Sequence, residues 1–323
     1  MSGDKNDLLP CMGITIEGNI IRSVEIDQVG DSAKLLAVNE VEASGEPWSD
    51  LKYDPQTVDN ILSYLDPMIN GLPEQPGSIA FAVSRNSAII KIHLVDSGLP
   101  QDEKEEFILW EANKRFGDYS DDYYVDLYPL STEVPKFSKY LSVALKRDTI
   151  ELFESLSSSL KVPLELLDID LLAGINAISY LYDEASSGKI AVLRYHDGES
   201  ALTLLNNGEF SGSILFHIEG NGNTFTLDRS DMEDGIEELM ASLFAPNFTL
   251  PLKDVDKLYI YSSEGKSNFM QPLLEKADGE QIIQVDPFGN IEVSDDVAST
   301  LLENNPARFT ETLGMAVRSL SAA

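Results

Sequence analysis

The chain has 323 residues, 43% of them hydrophobic, which is enough apolar material for two domains or one large split domain. Its 23 basic and 55 acidic residues give a formal charge of −32. This charge argues against binding to nucleic acid or to anionic lipid, and it favours basic peptides as partners. The acidity also has a simpler interpretation, as an adaptation for solubility or salt.

Cysteine, histidine and hydropathy patterns predict a soluble, cytoplasmic protein without a metal. Cys11 is the single cysteine, so no internal disulfide can form, and this fits a reducing compartment. The N-terminus has no signal-peptide pattern, and no stretch approaches the roughly 20 apolar residues of a membrane helix. The three histidines, His93, His196 and His217, are far apart in sequence, so we expect no metal site.

The first half of the chain predicts three strands, a helix and a strand, followed by an inserted module and a second α/β run. The initial elements are expected at 12–17, 20–28, 34–43, 56–70 and 79–83. The module, 86–136, contains a strand at 88–95, a helix between Pro100 and Gly117, and a strand at 123–130. Further elements are expected at 140–146, 148–160, 164–168 and 170–183.

The second half begins as the first does, after a hinge predicted at Ser186-Ser187-Gly188. Three strands are expected at 189–195, 200–206 and 209–218, the last two joined by an Asn-Asn-Gly turn. Ser230 and Glu233 form a capping box for a helix at 231–244. Later elements are expected at 257–262, 266–277, 281–285, 294–304 and 306–321. Two such units in succession predict a duplicated α/β architecture.

The first predicted strand contains a short motif, Gly13-Ile14-Thr15-Ile16-Glu17, and a turn at Gly18-Asn19 joins it to the second strand. One interpretation is an ordinary β-hairpin. The other is a phosphate-binding hairpin that has lost its chemistry. Such a hairpin needs an Asp to orient magnesium and a Gly that lets backbone N–H groups approach phosphate, and Thr15 and Glu17 stand in those places.

The whole chain resembles the PilM family, the actin-like cytoplasmic proteins of type IV pilus assembly. The resemblance rests on motifs in a shared order: GITIEGNIIRSVEI (13–26), AIIKIHLVDSGLPQDEKEEFILWEANKRFG (88–117), DDYYVDLYPL (121–130), YLSVALKRDTIELFESL (140–156), LELLDIDLLAGINAI (164–178), QVDPFGNIEV (284–293) and PARFTETLGMAVRSL (306–320). The cytoplasmic part of GspL is a relative, but there a membrane helix follows. The absence of such a helix here favours PilM.

The resemblance implies an actin-like duplicated fold with an inserted subdomain IC. Subdomain IA is expected at 1–85, together with 137–185 and the C-terminal helix 306–323. Subdomain IC is expected at 86–136, and domain II, divided into IIA and a smaller IIB, at 186–305.

The resemblance also locates the nucleotide loops, and all three are altered in this chain. The second phosphate loop has Arg194 and His196 where nucleotide-binding members have Asp and Gly, and the adenosine loop has Ser263 and Glu264 in place of Gly-Gly. We therefore expect a pseudo-ATPase without catalytic residues or a cofactor. Arg194 leaves non-standard anion or nucleotide binding open. The alternatives are a nucleotide-binding actin-like ATPase and a filament-forming protein.

By the same resemblance, the expected function is that of a scaffold on the cytoplasmic side of the inner membrane. Its partner would be a PilN-like membrane protein, whose N-terminal cytoplasmic stub enters a groove between IA and IC. An extended peptide beside a strand edge, with apolar pockets for leucines, would suit this role. The candidate lining residues are Phe81, Val83, Arg85, Ile90, Ile92 and Trp110. Arg85 is the leading candidate because arginine is rarely buried, whereas the apolar residues have core packing as their alternative.

The N-terminal segment Asn6-Asp7-Leu8-Leu9-Pro10 is similar to the Asn-Leu-Leu-Pro that PilN stubs typically carry. It is either a coincidence or a tail that occupies its own groove or a neighbour's. The sequence leaves open the identity of the partner and the oligomeric state, including a homo-oligomer. It also leaves open whether the assembly is a pilus, a secretion system or a divergent relative.

Overall fold

The structure is a computed structural model that describes residues 9–29, 32–45, 48, 51–196, 200–219, 224–230, 255–263, 281–295, 297 and 299–322. The chain divides into two compact units. The first contains Met1–Ser87, Arg147–Leu181 and Asp286–Ala323, and the second contains Ala88–Lys146 and Tyr182–Val285. The helices predicted at 231–244 and 266–277 lie outside the described residues.

The first unit is built on a six-stranded sheet. Its strands are β1 (Cys11–Glu17), β2 (Ile20–Val29), β3 (Ser32–Glu42), β4 (Ser78–Val83), β8 (Leu164–Ile169) and β15 (Glu292–Val293). Their order across the sheet is β15-β3-β2-β1-β4-β8. The β1–β2 and β2–β3 pairs are antiparallel, whereas β4 and β8 add in parallel to β1.

Helices cover both faces of this sheet, and the alternation of side chains along β4 shows how. The helices are α1 (Pro55–Asn70), α3 (Arg147–Leu160), α4 (Asp170–Leu181), α5 (Ser299–Glu303) and α6 (Thr310–Ala322). Phe81 on β4 packs its ring 4.8 Å from that of Phe153 on α3. The flanking residue Ala82 packs in the opposite direction, against Ala173 of α4 and Met315 of α6. The period-two pattern of the strand therefore builds two cores at once.

The helix α6 lies unusually close to its neighbours because two glycines remove side chains from the contact. A Cβ atom on Gly314 would lie 1.8 Å from the carbonyl oxygen of Ala173, and one on Gly13 would lie 2.1 Å from that of Thr312. Only glycine permits backbones to approach to this extent. The position of α6 against β1 and α4 therefore depends on both residues.

The second unit contains another six-stranded sheet with the same internal order. Its strands are β9 (Lys189–Tyr195), β10 (Ser200–Asn206), β11 (Glu209–Glu219), β12 (Thr224–Ser230), β13 (Lys257–Ser262) and β14 (Ile282–Gln284). They are arranged as β12-β11-β10-β9-β13-β14. As in the first sheet, three strands consecutive in sequence (β9, β10 and β11) pair antiparallel, and two later strands, β13 and β14, add in parallel to β9. The sixth strands differ, since β12 pairs antiparallel with β11 whereas β15 pairs parallel with β3. This repeat confirms the predicted duplicated α/β architecture.

The second unit also contains the inserted module. It is a three-stranded antiparallel sheet, with β7 (Phe137–Lys146) between β5 (Ala88–Asp96) and β6 (Tyr123–Val134), and one helix, α2 (Gln101–Phe116). The helix packs through Ile108 against Val95, Tyr140 and Leu127. Polar contacts fix the same face, since His93 Nδ1 lies 2.7 Å from Glu111 Oε2 on α2.

Two of the predicted boundaries lie elsewhere in the structure. The prediction assigns residues 137–146 to IA, but β7 is the central strand of the module's sheet, so this sheet cannot form without it. The prediction assigns residues 286–305 to domain II, but they are part of the first unit, where β15 pairs with β3. Both segments carry strands whose hydrogen-bonding partners are distant in sequence, which local pattern does not reveal.

Candidate functional site

The first candidate site is the hairpin formed by β1 and β2, and its turn has the glycine geometry expected from sequence. Gly18 has a φ of 58°, a conformation that favours glycine. Thr15 is 6% exposed, and its hydroxyl lies 2.9 Å from that of Thr312 on α6. At the position of the metal-orienting carboxylate, the chain thus has a hydroxyl that bonds to its own C-terminal helix.

Ion pairs surround the second altered position, Glu17. Its Oε2 lies 2.9 Å from Arg22 Nη1, and Arg22 Nε lies 2.7 Å from Glu40 Oε2. The same Glu40 oxygen lies 2.8 Å from Arg308 Nε. Arg22 is only 3% exposed. The Glu17 carboxylate, which would repel a triphosphate, is therefore held by Arg22, and Glu40 joins Arg22 to Arg308.

The second candidate loop follows β9 in the second unit. Arg194, near the end of the strand, is buried, and it is paired in register with Ala201 on β10 and Tyr261 on β13. Beyond the strand end, His196 Nδ1 lies 2.9 Å from Ser263 Oγ, which follows the neighbouring strand β13. Two of the predicted loop positions are thus brought together and bonded to each other. Glu264 and residues 197–199 lie outside the described residues.

Metal-binding clusters and membrane-spanning helices can be sought only in the part of the chain that the structure describes. Within it, no three His, Cys, Asp or Glu side chains cluster in a way that could hold a metal ion. Among the same residues, no helix has the length and apolar character needed to cross a membrane.

Four of the six residues predicted to line a peptide groove are buried in the structure. Phe81, Val83 and Ile90 are each 0% exposed, and Arg85 is 1% exposed. Arg85 begins a short 3₁₀ helix, Arg85–Ser87, and its backbone N–H donates to Asp170 Oδ1 at 2.9 Å. Arg85, the leading candidate because arginine is rarely buried, is thus buried like the apolar candidates. Buried side chains have no surface to offer a peptide, so core packing describes these positions.

The two remaining candidates, Ile92 and Trp110, lie on opposite sides of the module. Ile92 alternates with His93 along β5, and His93 faces α2, so Ile92 faces away from the helix. Trp110 lies on the outer surface of α2 and is 57% exposed. The structure therefore does not bring these two residues together on one surface.

Sequence reasoning missed a polar chain beneath α2, in which Ser142 Oγ lies 2.8 Å from His93 Nε2 and His93 Nδ1 bonds to Glu111. These residue types match a hydrolytic triad. However, Ser142 is 5% exposed and His93 is 3% exposed, so a substrate has no access to the hydroxyl. Burial lowers the pKa of His93. These three hydrogen-bonded residues thus hold α2 on the sheet. No local signal in the sequence indicates this arrangement, because the residues come from β5, β7 and α2.

The N-terminal segment is described from Leu9 onward, and Asn6, Asp7 and Leu8 lie outside the described residues. Leu9 is 65% exposed, and the Pro10 carbonyl accepts from the Gly77 N–H at 2.8 Å. This bond continues the pairing of β1 with β4 toward the N-terminus.

Comparison by sequence gives no match, either among family models or among curated proteins. Solved structures do match. A structure described as the PilM-PilN type IV pilus biogenesis complex aligns with a TM-score of 0.69 at 15% identity, over 96% of this chain and 98% of that chain. A protein of actin-like ATPase fold from Bacteroides thetaiotaomicron gives 0.47 at 11% identity, over 90% and 96%. The cytoplasmic domain of EpsL, from the type II secretion system of Vibrio cholerae, gives 0.45 at 9% identity, over 97% and 95%.

The likeness to the PilM-PilN structure covers nearly the whole of both chains, and it agrees with the repeated strand order of the two sheets. The chain has an actin-like α/β fold. The resemblance that the sequence motifs suggested is confirmed at the level of the fold.

Proposed function

We propose that the chain is a non-catalytic cytoplasmic scaffold of a type IV pilus or a related secretion platform. The observation that carries this proposal is the likeness to the PilM-PilN structure over 96% of the chain. By analogy with that complex, the partner is a PilN-like inner-membrane protein, which recruits the scaffold to the membrane through its cytoplasmic N-terminal stub.

The state of the candidate nucleotide loops supports a binding role over an ATPase role. Thr15 and His196 stand at positions where nucleotide-binding relatives would have groups for magnesium and phosphate, and each bonds to another residue of the chain. Glu17 is paired with Arg22. Phosphoryl transfer needs a metal-binding carboxylate and an open phosphate cradle, and these contacts favour neither.

The surface that best suits an extended peptide is the side of the module's sheet that faces away from α2. β5 is a terminal strand of this three-stranded sheet, so among the described residues its outer edge has backbone groups available for an added strand. Ile92 is half-buried on this side, and Leu94 and Phe137 beside it are 42% and 45% exposed. The formal charge of −32 favours a basic stub.

A peptide titration on the full chain tests the proposal. The probe is a fluorescent peptide of about 15 residues that carries Asn-Leu-Leu-Pro with basic flanking residues. We expect binding in the micromolar range by fluorescence anisotropy. Leu94→Ser should weaken it about fivefold or more, because a pocket for a leucine loses its apolar wall.

Leu109→Ser is the matched control for this titration. Leu109 is 37% exposed on α2, on the other side of the sheet, so its substitution should leave the peptide affinity unchanged. A peptide in which both leucines are replaced by serine should not bind. Failure of the peptide with both leucines to bind at about 1 mM would contradict the proposed partner.

A further inference from the structure

The outer surface of α2 carries four residues in a single line, Glu103, Phe107, Trp110 and Lys114. Their spacings of four, three and four residues place them on one side of the helix. This line, here called the α2 stripe, lies opposite the buried Ile108 that packs on the sheet. Phe107 is 43% exposed and Trp110 is 57% exposed, so the centre of the stripe is an uncovered aromatic pair.

The side chains of the α2 stripe are already arranged against one another. The rings of Phe107 and Trp110 have centroids 6.0 Å apart, and Lys114 Nζ lies 5.1 Å from the centroid of the Trp110 ring. Side chains that are ordered before association lose less rotamer entropy when a partner arrives. The stripe therefore has the aromatic centre and the charged ends of a small docking surface.

The order of residues in the stripe is symmetric about the midpoint between Ile108 and Leu109. Phe107 and Trp110 lie at equal distances on either side of that midpoint, and so do Glu103 and Lys114. We propose that this stripe binds the same stripe on a second copy of the chain, with the two α2 helices antiparallel. A two-fold axis at the midpoint then sets Phe107 against the partner's Trp110 and Glu103 against the partner's Lys114.

Charge complementarity identifies a second copy as the occupant. The stripe has an acidic residue at one end and a basic residue at the other, and an antiparallel second copy satisfies both at once. A uniformly basic segment would place a positive charge against Lys114, and a uniformly acidic one would place a negative charge against Glu103. Like charges in such positions disfavour association.

The size of the α2 stripe makes this a weak dimer. One helix pair buries less than the roughly 1,000 Å² expected of a stable complex. The formal charge of −32 on each copy also opposes association, and salt near about 0.15 M screens that repulsion. Dimerisation is therefore expected at high local concentration, as on a membrane platform where many copies are recruited.

Sedimentation equilibrium of the full chain, from about 5 µM to about 500 µM, tests the proposal. The wild-type chain should change from monomer to dimer over this range. Trp110→Ala should weaken dimerisation about tenfold or more, since it removes both aromatic contacts of the centre. Glu103→Lys and Lys114→Glu should each abolish dimerisation in this range, because each places like charges opposite one another twice per dimer.

Mixing these two charge variants gives the sharpest measurement. In a mixed dimer, the lysine introduced in the Glu103→Lys variant faces the glutamate introduced in the Lys114→Glu variant. The native Lys114 of the first variant faces the native Glu103 of the second, so a heterodimer should form although neither variant dimerises alone. Asp102→Lys is the matched control, with the same charge change one residue outside the stripe, and it should dimerise as the wild type does. Circular dichroism checks that each variant is folded.

Three outcomes would overturn the proposal: a wild-type chain that stays monomeric throughout, a dimer that Trp110→Ala leaves unchanged, or charge variants that fail to associate on mixing. None of these measurements uses the stub peptide. A failure here is therefore distinguishable from a failure of the proposed scaffold function.

Discussion

Glu25 lies on β2 with 1% of its surface exposed, and its Oε1 atom has no hydrogen-bond partner among the described residues. Burial raises the pKa of this carboxyl to about 7, and the nearby carboxylates of Glu74 and Asp27 act in the same direction. An isolated buried carboxylate is costly, so the folded chain favours the protonated form. Glu25 is thus a residue through which pH acts on stability.

Stability should therefore fall as the pH rises between the unfolded and folded pKa values of Glu25. Between about 4.5 and about 7, the folded state holds a proton that the unfolded state has released. In that window, each unit of pH lowers the free energy of unfolding. Above about 7 the carboxylate is charged in both states, and the loss is complete.

Glu25→Gln should remove this pH dependence. At pH 5 the variant and the wild type should have similar free energies of unfolding, and at pH 8 the variant should be more stable by on the order of 2 kcal/mol. Urea titrations at both pH values measure the difference. Glu154→Gln, at an exposed position on α3, is the control and should follow the wild type. Equal pH dependence in Glu25→Gln and the wild type would contradict the assignment.

At the scale of single elements, α6 shows how backbone contact outweighs helix propensity. Alanine normally stabilises a helix relative to glycine by about 1 kcal/mol. At Gly314, however, the added Cβ would meet the Ala173 carbonyl oxygen at 1.8 Å, and both helices would have to move apart. For Gly314→Ala, helix propensity therefore predicts a gain in stability, whereas packing predicts a loss.

Gly314→Ala should destabilise the chain by about 2 to 4 kcal/mol, because the clash involves backbone rather than a flexible side chain. Thermal and urea unfolding measure this. Gly98→Ala is the control, since a Cβ there approaches only the Asp96 side chain, at 3.2 Å, and the change should be within about 0.5 kcal/mol. A neutral or stabilising Gly314→Ala would show that α4 and α6 are not in close contact.

Also at the element scale, α2 shows what a helical pattern alone does not resolve. Its apolar residues do not share one environment, since Ile108 packs on the sheet while Phe107 and Trp110 point outward. Residues three or four positions apart share a helix face, whereas neighbours in sequence do not. The spacing in sequence places Ile108 on a different helix face from Phe107 and Trp110. Only the packing of the helix on the sheet shows which of these faces is buried.

At the scale of the whole molecule, the chain has an actin-like fold, and we propose that it is a pseudo-ATPase. Isothermal titration with Mg·ATP should therefore give no binding stronger than about 1 mM, and ATP should not raise the melting temperature. The physical reason is that Thr15, Glu17 and His196 are bonded within the chain. Micromolar affinity would contradict the pseudo-ATPase prediction and favour an ATPase or a filament. Sedimentation with and without ATP separates those two.

Much of this fold was predictable from the sequence, because strands and helices carry local signals. Alternating apolar residues locate β1 to β4 and β9 to β11 within a residue or two, and the Asn-Asn-Gly turn joins β10 to β11 as expected. The repeated order of these elements also predicts the duplication. The sequence does not predict β12, and it places β7 outside the inserted module whose sheet contains that strand. The physical reason is that strand pairing depends on partners that local pattern does not specify.

The candidate site was predictable only in part. The sequence by itself determined which residue types stand at the positions proposed as phosphate loops, since Thr15, Glu17, Arg194 and His196 lie in or directly after recognisable strands. The tertiary structure decided what those residues do. The Thr15 hydroxyl bonds to that of Thr312, which is 297 residues away in sequence. Arg85 is buried, although arginine side chains are usually exposed to solvent. A residue type is a local property, whereas burial and partners arise when elements that are distant in sequence pack together.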